Sequence, residues 1–174
     1  MPPLRQIRLA LIIVITGLVL SGLTAFPLLH ELNLLSGWLA GDSRDPAAHA
    51  GLVHWLLKVR EGLEVTYARY PFVAYGTDWL AFAHVMIALF FVLPYRDPQR
   101  YEGVLKVGIA AALLVIPLAL ICGPIRGIPF YWRLIDCSFG VFCVPFLLFA
   151  LRKTRELGPW RQGPEVSGDC RESC

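Results

Sequence analysis

The chain has 174 residues, of which 56% are hydrophobic and only 17% are charged, whereas about 25% are charged in an ordinary soluble domain. So few polar residues cannot cover a soluble protein of this length, and the apolar residues come in long blocks, so the composition predicts a membrane protein. The net charge of +3 is small and scattered along the sequence, which argues against nucleic-acid binding.

Four apolar runs predict an all-α membrane protein, a four-transmembrane-helix bundle with an amphipathic extracytoplasmic helix in its first loop. Each run is close to the roughly 17–25 residues that cross a bilayer. In chain order the predicted segments are the N-terminal end with the first span (1–29), an outer loop (30–76), the second span (77–94), an inner loop (95–103), the third span (104–122), a second outer loop (123–133), the fourth span (134–151) and a disordered cytoplasmic tail (152–174).

The first run has a second interpretation as a cleaved signal peptide, because Arg5 and Arg8 precede it. The run Leu9–Leu29 is longer than the roughly 7–15 residues of a signal peptide's apolar region, and no clear A-x-A site follows it. We therefore expect a retained helix. Cleavage would leave three spans with the same outward loops.

Lysine and arginine in the flanks of the spans predict the orientation. They precede the first span, lie between the second and third, and follow the fourth, so with four spans they share one side: Arg5, Arg8, Arg96, Arg100, Lys106, Arg152, Lys153 and Arg155. That side is predicted to be the cytoplasm, which places both termini inside and the loops 30–76 and 123–133 outside.

The first outer loop is predicted to contain an amphipathic helix at about 46–66. Asp45 suits the N-cap and Pro46 the first helical position. The expected apolar stripe consists of Leu52, Leu56, Val59 and Leu63, and the charged face of Lys58, Arg60, Glu61 and Glu64. Such a helix lies on the outer membrane surface or caps the bundle, and binding of a partner is the alternative.

Small residues at four-residue spacing predict close helix packing. They are Gly17, Ser21 and Ala25 in the first span, and Gly108 and Ala112 in the third. We expect contacts within one chain, with homodimerisation as the alternative.

His84 lies inside the second span, where an ionisable residue is costly and is a functional hypothesis by default. It could hydrogen-bond to another helix, relay protons or ligate haem. Haem b with two histidine ligands would need a second histidine, which His30 at the outer end of the first span could supply, or else His49 or His54. We predict no cofactor, and haem b through His84 is the alternative.

Asp78 and Asp136 are each predicted in the first turn of an inward-running helix, where the helix dipole favours an anion. Arg126 and Arg133 lie close to Asp136 in sequence. We expect capping or an Arg–Asp pair, and the alternative is a clamp for an anion or quinone. The candidate outer polar site consists of His84, Asp136, Arg126, Arg133, Asp78 and His30. We predict no catalytic or metal site, because GxSxG, HExxH, P-loop and GxGxxG motifs are absent from the sequence.

Two pairs of cysteines are candidates for a disulfide or a metal site. Cys122 and Cys137 face the outer side, where we expect free buried cysteines, and the alternative is a disulfide between them if that compartment is oxidising. Cys170 and Cys174 have CxxxC spacing, a weak metal signal in the absence of a second pair.

The stretch GPIRGIPFYWRLIDCSFG from Gly123, with YGTDWLAFAH and PYRDPQR upstream, resembles a group of small bacterial integral membrane proteins. The resemblance covers Trp55 to about Leu148 and leaves out both ends. It implies a bacterial inner membrane, and because the group has no assigned biochemical function, it implies no activity, cofactor or catalytic residue.

The leading functional hypothesis is a non-enzymatic accessory or interaction subunit that works through helix–helix and outer-loop contacts. Its expected partners are the lipid bilayer and a membrane protein or a second copy, not nucleic acid. A redox subunit associated with quinone or haem is the second hypothesis, and a small transporter is the third.

Overall fold

The computed structural model describes residues 1–41 and 45–158. Within these residues it contains six α-helices, two 3-10 turns and no strand, which confirms the all-α prediction. The helices are α1 (Pro3–Ala25), α2 (Leu28–Ala40), α3 (Gly51–Arg69), α4 (Ala74–Arg96), α5 (Glu102–Ile125) and α6 (Phe130–Glu156), and the turns are Pro46–Ala48 and Pro71–Val73.

Four segments are long and apolar enough to cross a membrane: Pro3–Ala25, Pro71–Arg96, Glu102–Ile125 and Phe130–Glu156. A helix rises about 1.5 Å per residue, so each exceeds the roughly 30 Å of the hydrocarbon core. The fold is therefore compatible with a membrane protein that has four spans. The placement of α3 outside the membrane stays a prediction.

The described chain divides into two compact units. The first comprises residues 1–11 and 93–158, and the second comprises Ile12–Val92. Helices α1 and α4 each contribute residues to both units.

Helices α5 and α6 are the principal helix pair of the first unit. They approach most closely where Gly140 of α6 lies against the backbone carbonyl of Ala112 in α5, which leaves no room for a Cβ atom on Gly140. The predicted small-residue position Ala112 therefore lies at a close helix crossing. Leu105 and Leu147 are fully buried in the same unit.

The N-terminal end of α1 belongs to the core of the first unit. Ile7 and Leu11 are fully buried. The Arg8 Nε donates a hydrogen bond to the Tyr95 carbonyl at 3.3 Å, and its guanidinium lies 5.6 Å from the centre of the Tyr95 ring. Cleavage of the first apolar run would remove this part of the core.

Only residues 126–129 separate α5 from α6, so both helices extend into the predicted outer loop 123–133. Gly127, with φ of +70°, ends α5 in a Schellman motif. The Ile128 N–H donates to the Gly123 carbonyl at 2.9 Å and the Gly127 N–H to the Pro124 carbonyl at 3.1 Å. Pro124 is accommodated in the last turn of α5.

The first predicted span is also corrected at its end. Helix α1 stops at Ala25 instead of continuing to residue 29, and a separate helix, α2, begins at Leu28. Pro27 disfavours a helical conformation at Phe26, which separates the two helices. No helix is predicted over 28–40 from the sequence.

Helix α3 covers Gly51–Arg69 instead of about 46–66. The Asp45 side chain accepts a hydrogen bond from the Ala47 N–H at 2.9 Å, as an N-cap does, but it caps the 3-10 turn Pro46–Ala48. The chain is extended at Ala50, and Gly51, with φ of +61°, turns it into α3.

The buried side of α3 differs from the predicted stripe. Helices α2 and α3 pack together, and their buried residues are Leu32, Ser36, Leu56, Leu57 and Arg60. Leu52, predicted apolar and inward, is 44% exposed, whereas Arg60, predicted on the charged face, is 6% exposed. Contact with α2 shifts the buried side of α3 toward Leu57. Because α2 was not predicted from the sequence, this shift was not predicted either.

Candidate functional site

The six residues of the predicted outer polar site fall in both units. His30, Asp78 and His84 belong to the second unit, and Arg126, Arg133 and Asp136 belong to the first. Each group of three therefore has to be judged by its own local geometry.

His84 makes a hydrogen bond within its own helix instead of to another one. Its Nδ1 lies 2.8 Å from the Leu80 carbonyl oxygen. A carbonyl only accepts, so Nδ1 carries the proton and the lone pair of a neutral ring is on Nε2. No group in the described part of the chain binds Nε2. This arrangement is common among histidines whose other nitrogen binds a metal ion.

Helices α1 and α4 cross closely beside His84. A Cβ atom on Gly22 would lie 2.8 Å from the Ala81 carbonyl oxygen and 3.2 Å from the His84 Cβ. The predicted stripe member Gly17 has open space around it. The close contact on α1 therefore lies at Gly22, outside the predicted stripe, and it fixes the backbone that carries His84.

Asp78 is not in the first turn of α4, contrary to the prediction, because the helix begins at Ala74. Thr77 occupies the hydrogen-bonded position instead. Its hydroxyl donates to the Ala74 carbonyl at 2.6 Å and lies 3.1 Å from the Tyr67 hydroxyl. This contact links α3 to the start of α4.

His30 lies in the first turn of α2 and is exposed. It therefore begins a new helix and does not close the first span as predicted. The structure gives it no contact with His84.

Arg133 and Asp136 do not form the predicted ion pair, and neither do Arg126 and Asp136, among the described residues. The stem of Arg133 lies directly against Gly123, and its guanidinium lies 5.1 Å from the centre of the Phe130 ring. The Arg133 Nε is buried without a hydrogen-bond partner. Arg133 thus packs over the end of α5, and the clamp remains a prediction.

Asp136 and Arg126 also differ from their predicted positions. Helix α6 begins at Phe130, so Asp136 lies beyond its first turn. Arg126 is the exposed C-cap of α5. The helix dipole therefore acts on Asp136 less strongly than the sequence analysis assumes.

Cys122 and Cys137 are free thiols, and the alternative disulfide is not formed in this structure. Cys122 is exposed, whereas Cys137 is buried with its Sγ 3.9 Å from the Ile116 carbonyl. Among the described residues no group of three or more His, Cys, Asp or Glu residues could hold a metal ion. The Cys170–Cys174 pair lies outside the described residues.

A polar cluster that the sequence analysis missed joins the far ends of α5 and α6. Glu102 pairs with Lys106 at 2.9 Å and with Arg155 at 3.4 Å. Gln99 donates to the carbonyls of Leu157 and Gly158, each at 2.9 Å. The i,i+4 spacing of Glu102 and Lys106 is sufficient to predict their ion pair from the sequence. The ion pair of Glu102 with Arg155 of α6 depends on tertiary packing and is not predictable in this way.

Arg60 is the most unusual charged residue of the second unit. Its side chain is buried, its Nε has no hydrogen-bond partner, and no carboxylate of the described chain pairs with it. The Trp55 Nε1, on the same helix, is likewise buried without a partner. A buried donor without an acceptor costs about 1–3 kcal/mol, so the unpartnered Nε of Arg60 lowers the free energy of unfolding.

Replacing Arg60 with methionine is expected to raise the free energy of unfolding by about 1–3 kcal/mol, because methionine fills similar space without a buried donor. The measurement is denaturant titration in mixed micelles followed by circular dichroism. Lys58→Met, at an exposed position of the same helix, is the control and should change stability by less than about 0.5 kcal/mol. A clear loss of stability in Arg60→Met alone would show that the guanidinium has a stabilising partner.

Comparison of the chain with protein-family models, with curated proteins and with solved structures finds no match.

Proposed function

We propose that the protein is a multi-pass membrane protein of a bacterial inner membrane that acts as a non-enzymatic accessory or interaction subunit. The supporting observation is the apolar surface that the chain itself leaves uncovered. Only 6% of the apolar window of α5 is buried within the chain, and 28% in α1 and α6. Lipid and a partner helix are the two surroundings that cover such a surface.

Helix α5 has a continuous exposed side with the spacing that a partner helix requires. Its positions recur at intervals of three and four residues and are all exposed: Gly103, Val107, Ala110, Leu114, Pro117 and Ile121. Small residues at two of these positions allow a second backbone to approach. Val107, Leu114 and Ile121 supply branched side chains that interlock with a partner.

Contacts within the first unit support the proposed orientation, with both termini cytoplasmic. Arg8 bonds to Tyr95, which places the N-terminal end beside the end of α4. Gln99 bonds to Gly158, which places the α4–α5 link beside the end of α6. The segments that carry most of the predicted cytoplasmic charge therefore lie together.

Photo-crosslinking in native membranes tests the proposed partner contact. A benzophenone amino acid replaces Leu114 on the exposed side of α5, and Leu113 is the matched control, since it is also exposed but points about 100° away. We expect a discrete protein adduct from position 114 and a weaker one from position 113. Adducts with lipid alone at both positions would contradict an interaction subunit.

A second candidate function, a redox subunit associated with haem or quinone, is favoured by one observation. The Nδ1 contact of His84 with Leu80 leaves Nε2 as the available nitrogen. A visible spectrum of the purified protein tests it: a Soret band that His84→Leu removes would support a haem, and the absence of a Soret band would contradict it. The His54 Nδ1 bonds to the Pro46 carbonyl at 2.8 Å in the same way, so loss of the band in His54→Leu as well would identify His54 as the second ligand.

A further inference from the structure

Helix α2 has three chemically different sides. One side, with Leu32 and Ser36, is buried. A second, with Leu34 and Trp38, is apolar but strongly exposed, at 64% and 82% respectively. The third, with His30, Asn33 and Gly37, is polar or small and exposed. An exposed surface divided lengthwise into apolar and polar halves is typical of a helix at a boundary between lipid and water.

The length of α2 excludes it as a fifth span. It has 13 residues, and an apolar segment of roughly 10–14 residues is a core helix or an interfacial segment. A core helix does not leave its tryptophan 82% exposed. Of these two kinds of segment, an interfacial helix is therefore the one that fits α2.

The chain connections place α2 at the membrane surface. Helix α1 has 23 residues and is about 34 Å long, enough to cross the hydrocarbon core of about 30 Å. Only Phe26 and Pro27 separate α1 from α2, so Leu28 begins within about 11 Å of the end of that span.

The other end of the α2–α3 segment meets the membrane as well. Only Tyr70 lies between α3 and the candidate span Pro71–Arg96. Phe72, at the start of that span, is 74% exposed. Both connections therefore hold the packed pair α2–α3 at the same membrane boundary.

We propose that α2 is an interfacial helix whose Leu34–Trp38 side is embedded in the lipid bilayer, with α3 packed on it away from the hydrocarbon. This inference rests on the proposed membrane insertion. Trp38 then lies at headgroup level, where tryptophan is enriched. Glu31 lies on the same side as Leu34 and Trp38, three and seven residues before them, in the first turn of α2, where the helix dipole favours its negative charge.

Spin labelling of the full chain tests the proposal. In a background with all five cysteines replaced by serine, labels are attached to the single variants Leu34→Cys and Trp38→Cys, with Asn33→Cys and Gly37→Cys as matched controls on the polar side. The protein is reconstituted in vesicles of phosphatidylcholine and phosphatidylglycerol. Collision with oxygen, which concentrates in lipid, is compared with collision with a water-soluble nickel chelate. Leu114→Cys on α5 reports on membrane insertion independently.

We expect labels at positions 34, 38 and 114 to collide more with oxygen, and labels at 33 and 37 more with the chelate. If 114 is in lipid but 34 and 38 behave like 33 and 37, α2 is in water and the inference fails while the membrane proposal stands. If 34 and 38 are shielded from both reagents, protein covers this side, and the inference fails in the same way. If 114 itself collides with the chelate, membrane insertion fails.

Discussion

Replacing Leu57 with alanine is expected to lower the free energy of unfolding by about 2–5 kcal/mol. The Leu57 side chain is fully buried on α3, so its loss removes apolar burial and leaves a cavity. Leu52→Ala is the matched control on the same helix: Leu52 is 44% exposed, and we expect a loss of less than about 1 kcal/mol there.

This pair of variants distinguishes the observed buried side of α3 from the buried side that the sequence pattern predicts. The sequence pattern predicts Leu52 in the inward stripe and leaves Leu57 out of it, so it predicts the reverse order of effects. The measurement is denaturant titration in mixed micelles, followed by circular dichroism. A larger loss for Leu52→Ala than for Leu57→Ala would contradict the observed packing of α3 on α2.

Replacing Gly140 with alanine is expected to lower the free energy of unfolding by about 1–3 kcal/mol, the usual cost of an extra group in a packed contact. The added methyl would meet the backbone carbonyl of Ala112, which cannot rotate away as a side chain can. Helices α5 and α6 must then move apart.

Gly103→Ala is the control for the same helix pair, since a Cβ on Gly103 meets open space. We expect it to be neutral or to stabilise by up to about 1 kcal/mol, because alanine favours helix more than glycine does. Equal effects of the two variants would mean that α5 and α6 do not cross at Gly140.

The sequence was sufficient for features that depend on local pattern. Long apolar runs marked the four candidate spans, and Asp45 was identified as a capping residue. Between α5 and α6, both Gly123–Pro124 and Gly127–Pro129 have the composition of helix breakers, but α5 continues through Pro124 to Ile125 and the chain turns at Gly127. Pro124 removes one helix hydrogen bond, to the carbonyl of Leu120, and the Schellman bonds from Gly127 and Ile128 still close the last turn.

Helix α2 was missed even though its sequence carries a signal. Leu28, Leu32, Leu35 and Leu39 recur at helical spacing, but the run was assigned partly to the first span and partly to a loop. The buried side of α3 was therefore predicted incorrectly, because it depends on the position of α2, the helix that covers it.

The candidate site was predictable only as a list of residue types. The sequence singled out His84, but not the carbonyl that orients its ring, nor Gly22 at the close crossing with α1. The expected Arg133–Asp136 pair failed because the stem of Arg133 packs over Gly123. These contacts depend on how helices are placed in space, which spacing along one helix does not specify.

The most direct test of the account is the number of membrane crossings, measured by fusing alkaline phosphatase, which is active only outside the cytoplasm, after Tyr70, Gln99, Gly127 and Gly158 in bacterial cells. Four spans with cytoplasmic termini predict active fusions at Tyr70 and Gly127 and inactive ones at Gln99 and Gly158. Equal activity at any two successive fusion points would contradict the account, because the helix between them would not cross the membrane.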